Sequence, residues 1–162
     1  MTKKEIKKRK INWKVLITSF IIVYLVAGLG SVFTAQNTKT DWYNSIKPAL
    51  TPPSIVFPIV WNILFFLIAL SLYFCWISSK NNKEKSAVGI VFGVNFILNI
   101  LWSVLYFAMK NPRLAFFEII LLLISIASML LLSWKISKKS FWLLMPYFVW
   151  VCFASVLNFL SF

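Results

Sequence analysis

No histidine occurs in the chain. That one absence removes the usual general base, the commonest zinc ligand and the usual proximal ligand to haem iron. Acids are nearly as scarce, with only Glu5, Asp41, Glu84 and Glu118. Only Glu118 lies inside a long apolar run, so no second carboxylate is available there for acid–base work. Serine without a histidine partner cannot form a hydrolytic triad, and no glycine-rich phosphate loop is present. Conventional hydrolase or kinase chemistry therefore has no residues to carry it, and no metal site is expected. The two cysteines, Cys75 and Cys152, both fall within apolar runs and read as small hydrophobes, not as a disulfide or a metal pair.

What fills the chain instead is hydrocarbon. Of its 162 residues 60% are hydrophobic and 13% charged, too little polar surface for a soluble domain of this length. Runs of about 20 apolar residues predict membrane spans near 15–35, 55–77, 87–109, 114–134 and 141–161. The fold class expected is therefore all-α, a membrane bundle of five transmembrane helices. A basic cytoplasmic tail, 1–14, would precede a single five-span domain, 15–162. The first run is too long for a signal-peptide core, and Phe33 stands where cleavage before Gln36 would want a small residue, so an uncleaved span is expected. An odd number of spans also disfavours an inverted-repeat transporter within one chain.

The formal charge of +13 could suggest nucleic acid, but its placement does not. Lys3, Lys4, Lys7, Lys8, Arg9, Lys10 and Lys14 crowd the N-terminal tail, and most of the rest sit in the second and fourth connections between spans. Only Lys39, Lys47, Lys110 and Arg113 fall on the opposite side. This asymmetry orients the N-terminus to the cytoplasm and the C-terminus outside, in a multi-pass cell-membrane protein facing anionic headgroups. Glu118 lies about one turn from Arg113, so snorkelling or a local ion pair is the expected, structural role.

The connection from Gln36 to Ser54 is long for so compact a chain and holds Trp42, Tyr43, Pro48, Pro52 and Pro53. It reads either as a structured lid or as an interfacial aromatic anchor. Aromatics make up 18% of the sequence, and Trp61, Trp102 and Trp150 lie too far inside spans for belts alone to explain. Asn95, Asn99 and Trp102 share one helical face at i, i+4, i+7. Tyr147, Trp150, Ala154 and Asn158 share another, and Trp61 and Phe65 a third. Such faces serve either interhelical packing, with amides bonded between helices, or a pocket for a flat hydrophobic ligand.

Three blocks, WYNSIKPALTPPSIVFPIVWNILF, FILNILWSVLYF and MPYFVWVCFASVLNF, resemble the first loop with the second helix, the third helix and the fifth helix of the TspO/translocator family. They occur in family order and cover most of the chain from Trp42 to Phe159. The resemblance implies a five-helix bundle, usually a homodimer, that binds porphyrin or haem in a pocket closed by the first loop, with no cofactor required. Carried over by position, the pocket residues are Tyr43, Pro52, Trp61, Phe65, Asn99, Trp102, Trp150 and Ala154, and the periodicity adds Asn95 and Tyr147. Light-dependent porphyrin degradation, reported for some members, would fall to Trp61 and Trp150. Family dimerisation through the third helix would use Gly89 and Gly93. No Lys or Arg follows Lys139, so the basic residue of the family's vertebrate cholesterol-recognition segment has no counterpart. The function expected is that of a tetrapyrrole sensor, scavenger or photo-degrader. The alternatives are a small transporter of porphyrins or other hydrophobic metabolites, and an interaction partner whose aromatics only pack.

Overall fold

The structure, a computed structural model, describes residues 11–162; the tail lysines from Lys3 to Lys10 lie outside the described residues. Six α-helices follow one another: α1 (Trp13–Asn37), α2 (Asp41–Ile46), α3 (Val56–Ser78), α4 (Asn82–Ser103), α5 (Pro112–Ile136) and α6 (Lys138–Phe159). A π-helical turn, Val104–Ala108, prolongs α4. No strand occurs among the described residues. Five of these helices are long and apolar enough to cross a bilayer, α4 and its π turn counting as one. The first, third and fourth spans outlast their hydrophobic stretches by a few residues, because a helix continues into the headgroup region until a cap stops it. A span of 25 residues such as α5 extends about 37 Å at the α-helical rise, against roughly 30 Å of hydrocarbon.

Local chemistry marks the ends. Asn12, Thr40, Asn81, Asn111 and Ser137 each stand before a helix with a side-chain oxygen that accepts a first-turn backbone N–H. At α4 two bonds hold the start: Asn81 takes the Glu84 N–H at 2.9 Å, and the Glu84 carboxylate takes the N–H of Lys80, the residue before the cap, at 2.7 Å. Ser137 both ends α5 and caps α6, so one residue separates two antiparallel helices.

The spans close into a ring in which α1 packs on α3, α3 on α6, α6 on α5, α5 on α4 and α4 on α1. Side chains of the inner faces form one core, with Val23, Ile68, Phe92, Ile126, Met129, Leu144, Tyr147 and Val151 essentially out of contact with solvent. The outer faces are equally apolar. On α5, Phe117, Ile124 and Leu131 recur every seventh residue and are 69%, 59% and 68% exposed. In water such a surface would drive aggregation; facing lipid tails it costs nothing.

Two polar clusters pin the helices together. Toward the α3–α4 connection, Ser71 and Cys75 of α3, Ser133 of α5 and Ser140 of α6 form one buried group. The Ser140 hydroxyl donates to the Ser71 carbonyl at 2.9 Å, the Ser71 hydroxyl donates to the Ser140 carbonyl at 3.2 Å, and the Cys75 thiol donates to the Ser140 hydroxyl at 3.2 Å. Toward the other end, Trp102 donates to Asn158, whose amide donates to the Pro112 carbonyl at 2.8 Å, and Tyr106 pairs with Ser161.

Candidate functional site

The aromatic residues singled out from sequence fall into two groups. The first lies on the seam between α3 and α6. Trp61 stacks on Phe65 with centroids 5.3 Å apart and meets the edge of Tyr147 at 6.2 Å. Trp150, one turn beyond Tyr147 on α6, meets the edge of Phe57 at 5.9 Å and lies beside Phe153 at 5.6 Å. Ala154, a further turn along, packs half-buried against the core.

Behind this wall runs a column of hydrogen bonds. The Asn99 amide donates to the Tyr147 hydroxyl at 3.1 Å, Tyr147 donates to the Asn95 carbonyl oxygen at 3.3 Å, and the Asn95 amide donates to Ser125 of α5 at 2.8 Å. A continuous path therefore leads from Trp61 on α3 through α6 and α4 to α5. Asn95 and Asn99 thus each bond a side chain of another helix, and Tyr147 is fully buried between them.

The second group surrounds the π turn. Trp102 stacks on Tyr106 at 5.2 Å and meets Phe107 edge-on at 5.9 Å, while its indole N–H donates to Asn158 at 3.0 Å. The helix α2 docks here. Trp42 meets the edge of Tyr106 at 6.0 Å, Tyr43 packs on Phe107 at 5.9 Å, and the Lys110 ammonium lies 5.9 Å above the Trp42 ring. Burial alone pushes the Tyr43 phenol above its ordinary range. Tyr43 thus joins Trp102 in one cluster, and among the described residues no ring contact links it to Trp61 or Trp150. Pro52 is half-buried in the connection from α2 to α3, next to Thr51, whose hydroxyl is buried without a partner.

Sequence reasoning missed Phe57 and Phe153, which frame Trp150, and the pair Tyr106–Phe107. The signal for Tyr106 was present, since Trp102 and Tyr106 are at i, i+4. Phe107 reaches the same cluster because the π turn widens the helix by a residue, and no pattern in the letters announces that.

Glu118 requires a correction. It neither snorkels nor pairs with Arg113. Its side chain is 4% exposed, and neither carboxyl oxygen has a hydrogen-bond partner. Arg113 instead places its guanidinium 5.8 Å above the Phe162 ring. Position near the helix end suggested the interface, but the inward stripe Ala115, Glu118, Leu122, Ser125 and Met129 carries the residue into the bundle. Gly89 and Gly93 lie on the outer side of α4, where an added Cβ would meet nothing within 4 Å.

A five-span bundle with an aromatic seam backed by asparagine and tyrosine defines the class. Residues 19–161 match the TspO/MBR family, and the chain belongs to it. It is 39% identical over 145 residues to the "Tryptophan-rich protein TspO" of Archaeoglobus fulgidus, covering 89% of this chain and 92% of that one. It is 26% identical over 151 residues to the "Tryptophan-rich sensory protein" of Cereibacter sphaeroides, with 91% and 89% covered. Against the "Translocator protein" of Bos taurus identity is 27% over 141 residues, with 83% of each chain covered.

Proposed function

We propose that this membrane protein binds flat, hydrophobic tetrapyrroles such as porphyrin or haem against the α3–α6 seam, and acts as their sensor, scavenger or light-driven degrader. The observation that carries this reading is Trp150. Its indole N–H is buried with no partner among the described residues, in a span whose other inward polar groups are bonded. A buried donor left unpaired costs about 1–3 kcal/mol, a cost that a ligand acceptor in the seam would recover. Phe57, Trp61, Phe65, Trp150 and Phe153 offer ring faces and edges for stacking. Without histidine, binding rests on stacking and shape, with Lys47, exposed beside α2, available to ligand carboxylates. Trp61 and Trp150, both on the seam, are the candidates for photochemistry.

In this reading α2 and Pro52 cover the extracytoplasmic end, the N-terminus is cytoplasmic, and two copies pair through Gly89 and Gly93 of α4. Protoporphyrin IX added to the purified protein should quench tryptophan fluorescence saturably. Trp150→Phe should weaken that binding about fivefold, the worth of one ordinary hydrogen bond. Linear, non-saturating quenching would sink the proposal.

A further inference from the structure

Within the bundle one acidic side chain has no hydrogen-bond partner among the described residues. Glu118 is buried with both oxygens unpartnered. Along α5 it stands on the same inward face as Ser125, which binds Asn95, and about 10 Å from it at the α-helical rise. On its other side, about 9 Å away, the Pro112 carbonyl takes Asn158. Both neighbours are hydrogen-bonded across helices while the carboxyl between them is not.

An uncompensated carboxylate in such a place costs several kcal/mol, and intramembrane acids that persist are commonly sites for ions or protons. The surroundings specify the charge that would answer it. Of the elements packed on α5, α6 contributes Tyr147 and Cys152 after Lys138 and Lys139 at its start, the π turn Tyr106, and α3 Cys75 and Tyr73 toward its far end; α4 carries Lys83, Glu84 and Lys85 at its start and no titratable side chain after them. Arg113 on α5 itself is turned to Phe162. No second carboxylate is at hand, and a divalent ion bound by protein is ordinarily held by more than one.

We propose that Glu118 anchors an internal site for a single positive charge, a proton or a monovalent metal cation. The site does not depend on tetrapyrrole binding. Occupancy compensates the carboxyl and so stabilises the folded bundle by mass action.

The test is thermal unfolding of the full chain in detergent, followed by tryptophan fluorescence from pH 5 to pH 8 in sodium, potassium or choline chloride at equal ionic strength. Choline is too large to enter. Wild-type protein should lose about 3 °C or more of Tm on going to high pH in choline, and Glu118→Gln should not. Rescue by sodium or potassium at high pH identifies a metal cation; a dependence on pH alone identifies a proton. Parallel profiles for the two proteins in all three salts overturn the proposal. Should Glu118→Gln not fold, infrared difference spectra of the wild type between the pH extremes serve instead. A carboxylic-acid band that appears with falling pH, or a carboxylate band shifted by sodium or potassium at high pH, supports the site, and neither change overturns it.

Discussion

Trp150 and Asn99 face the same region of the bundle with opposite obligations. Trp150 gives its N–H to no partner among the described residues, whereas Asn99 gives its amide to Tyr147. Trp150→Phe should therefore leave Tm within about 1–2 °C of wild type while weakening porphyrin binding. Asn99→Ala should cost about 1 kcal/mol of stability, visible as a lowered Tm whether or not ligand is present. Comparing the two variants by unfolding and titration distinguishes an effect on ligand binding from an effect on packing. Tyr43 offers a test by pH. Its phenol is held above its ordinary value by burial, so its contribution is complete below the unfolded-state value near 10 and is lost as pH rises through the higher folded value. Ultraviolet titration of wild type against Tyr43→Phe should show the missing phenol as one that ionises late; an unchanged late phase would remove Tyr43 from the docked cluster.

At the scale of elements, the five spans were legible because each is a long apolar run and the connections between them are short. The inward faces of α3, α4 and α6 were legible too, since i, i+4, i+7 spacing survives in a straight helix. Glu118 was misread because distance from a helix end says nothing about which side the residue faces, and here the face decided. The docking of α2 was half legible: Trp42 and Tyr43 promised a structured element, but its seat depends on Phe107, and Phe107 reaches that seat through a π turn that leaves no mark in the sequence. The serine group joining α3, α5 and α6 is a sharper test of helix association. Ser140 touches Ser71, Ser133 and Cys75 at once, so Ser140→Ala should destabilise the bundle by about 1–2 kcal/mol, more than Ser128→Ala, whose hydroxyl bonds only its own helix. Unfolding in graded denaturant would show the difference.

For the whole molecule, lipid takes the place of water around an apolar exterior, and the remaining uncovered feature is the glycine face of α4. Because an added Cβ at Gly93 meets nothing within 4 Å, Gly93→Leu should leave helix content and Tm unchanged. If two copies pair there, the variant should run as a monomer on crosslinking in mild detergent. A wild type that is itself monomeric, or a variant that still crosslinks, would place the contact elsewhere. Orientation is tested on the same scale: cysteine introduced at Lys83 should react with an impermeant reagent only from the cytoplasmic side, and cysteine at Lys110 only from outside.

The distribution of hydrogen bonds on α3 has a mechanical consequence. Every interhelical hydrogen bond this helix makes among the described residues comes from Ser71, Tyr73 or Cys75, in its second half. Its first half, with Phe57, Trp61 and Phe65, is held by ring contacts and van der Waals packing, which yield gradually where a hydrogen bond breaks outright. The helix is thus a lever with its fulcrum at the serine group and its free arm carrying the tryptophan. Swinging that arm outward parts the seam without breaking a single bond between helices, so hydrogen exchange along α3 should slow progressively from Trp61 towards Cys75.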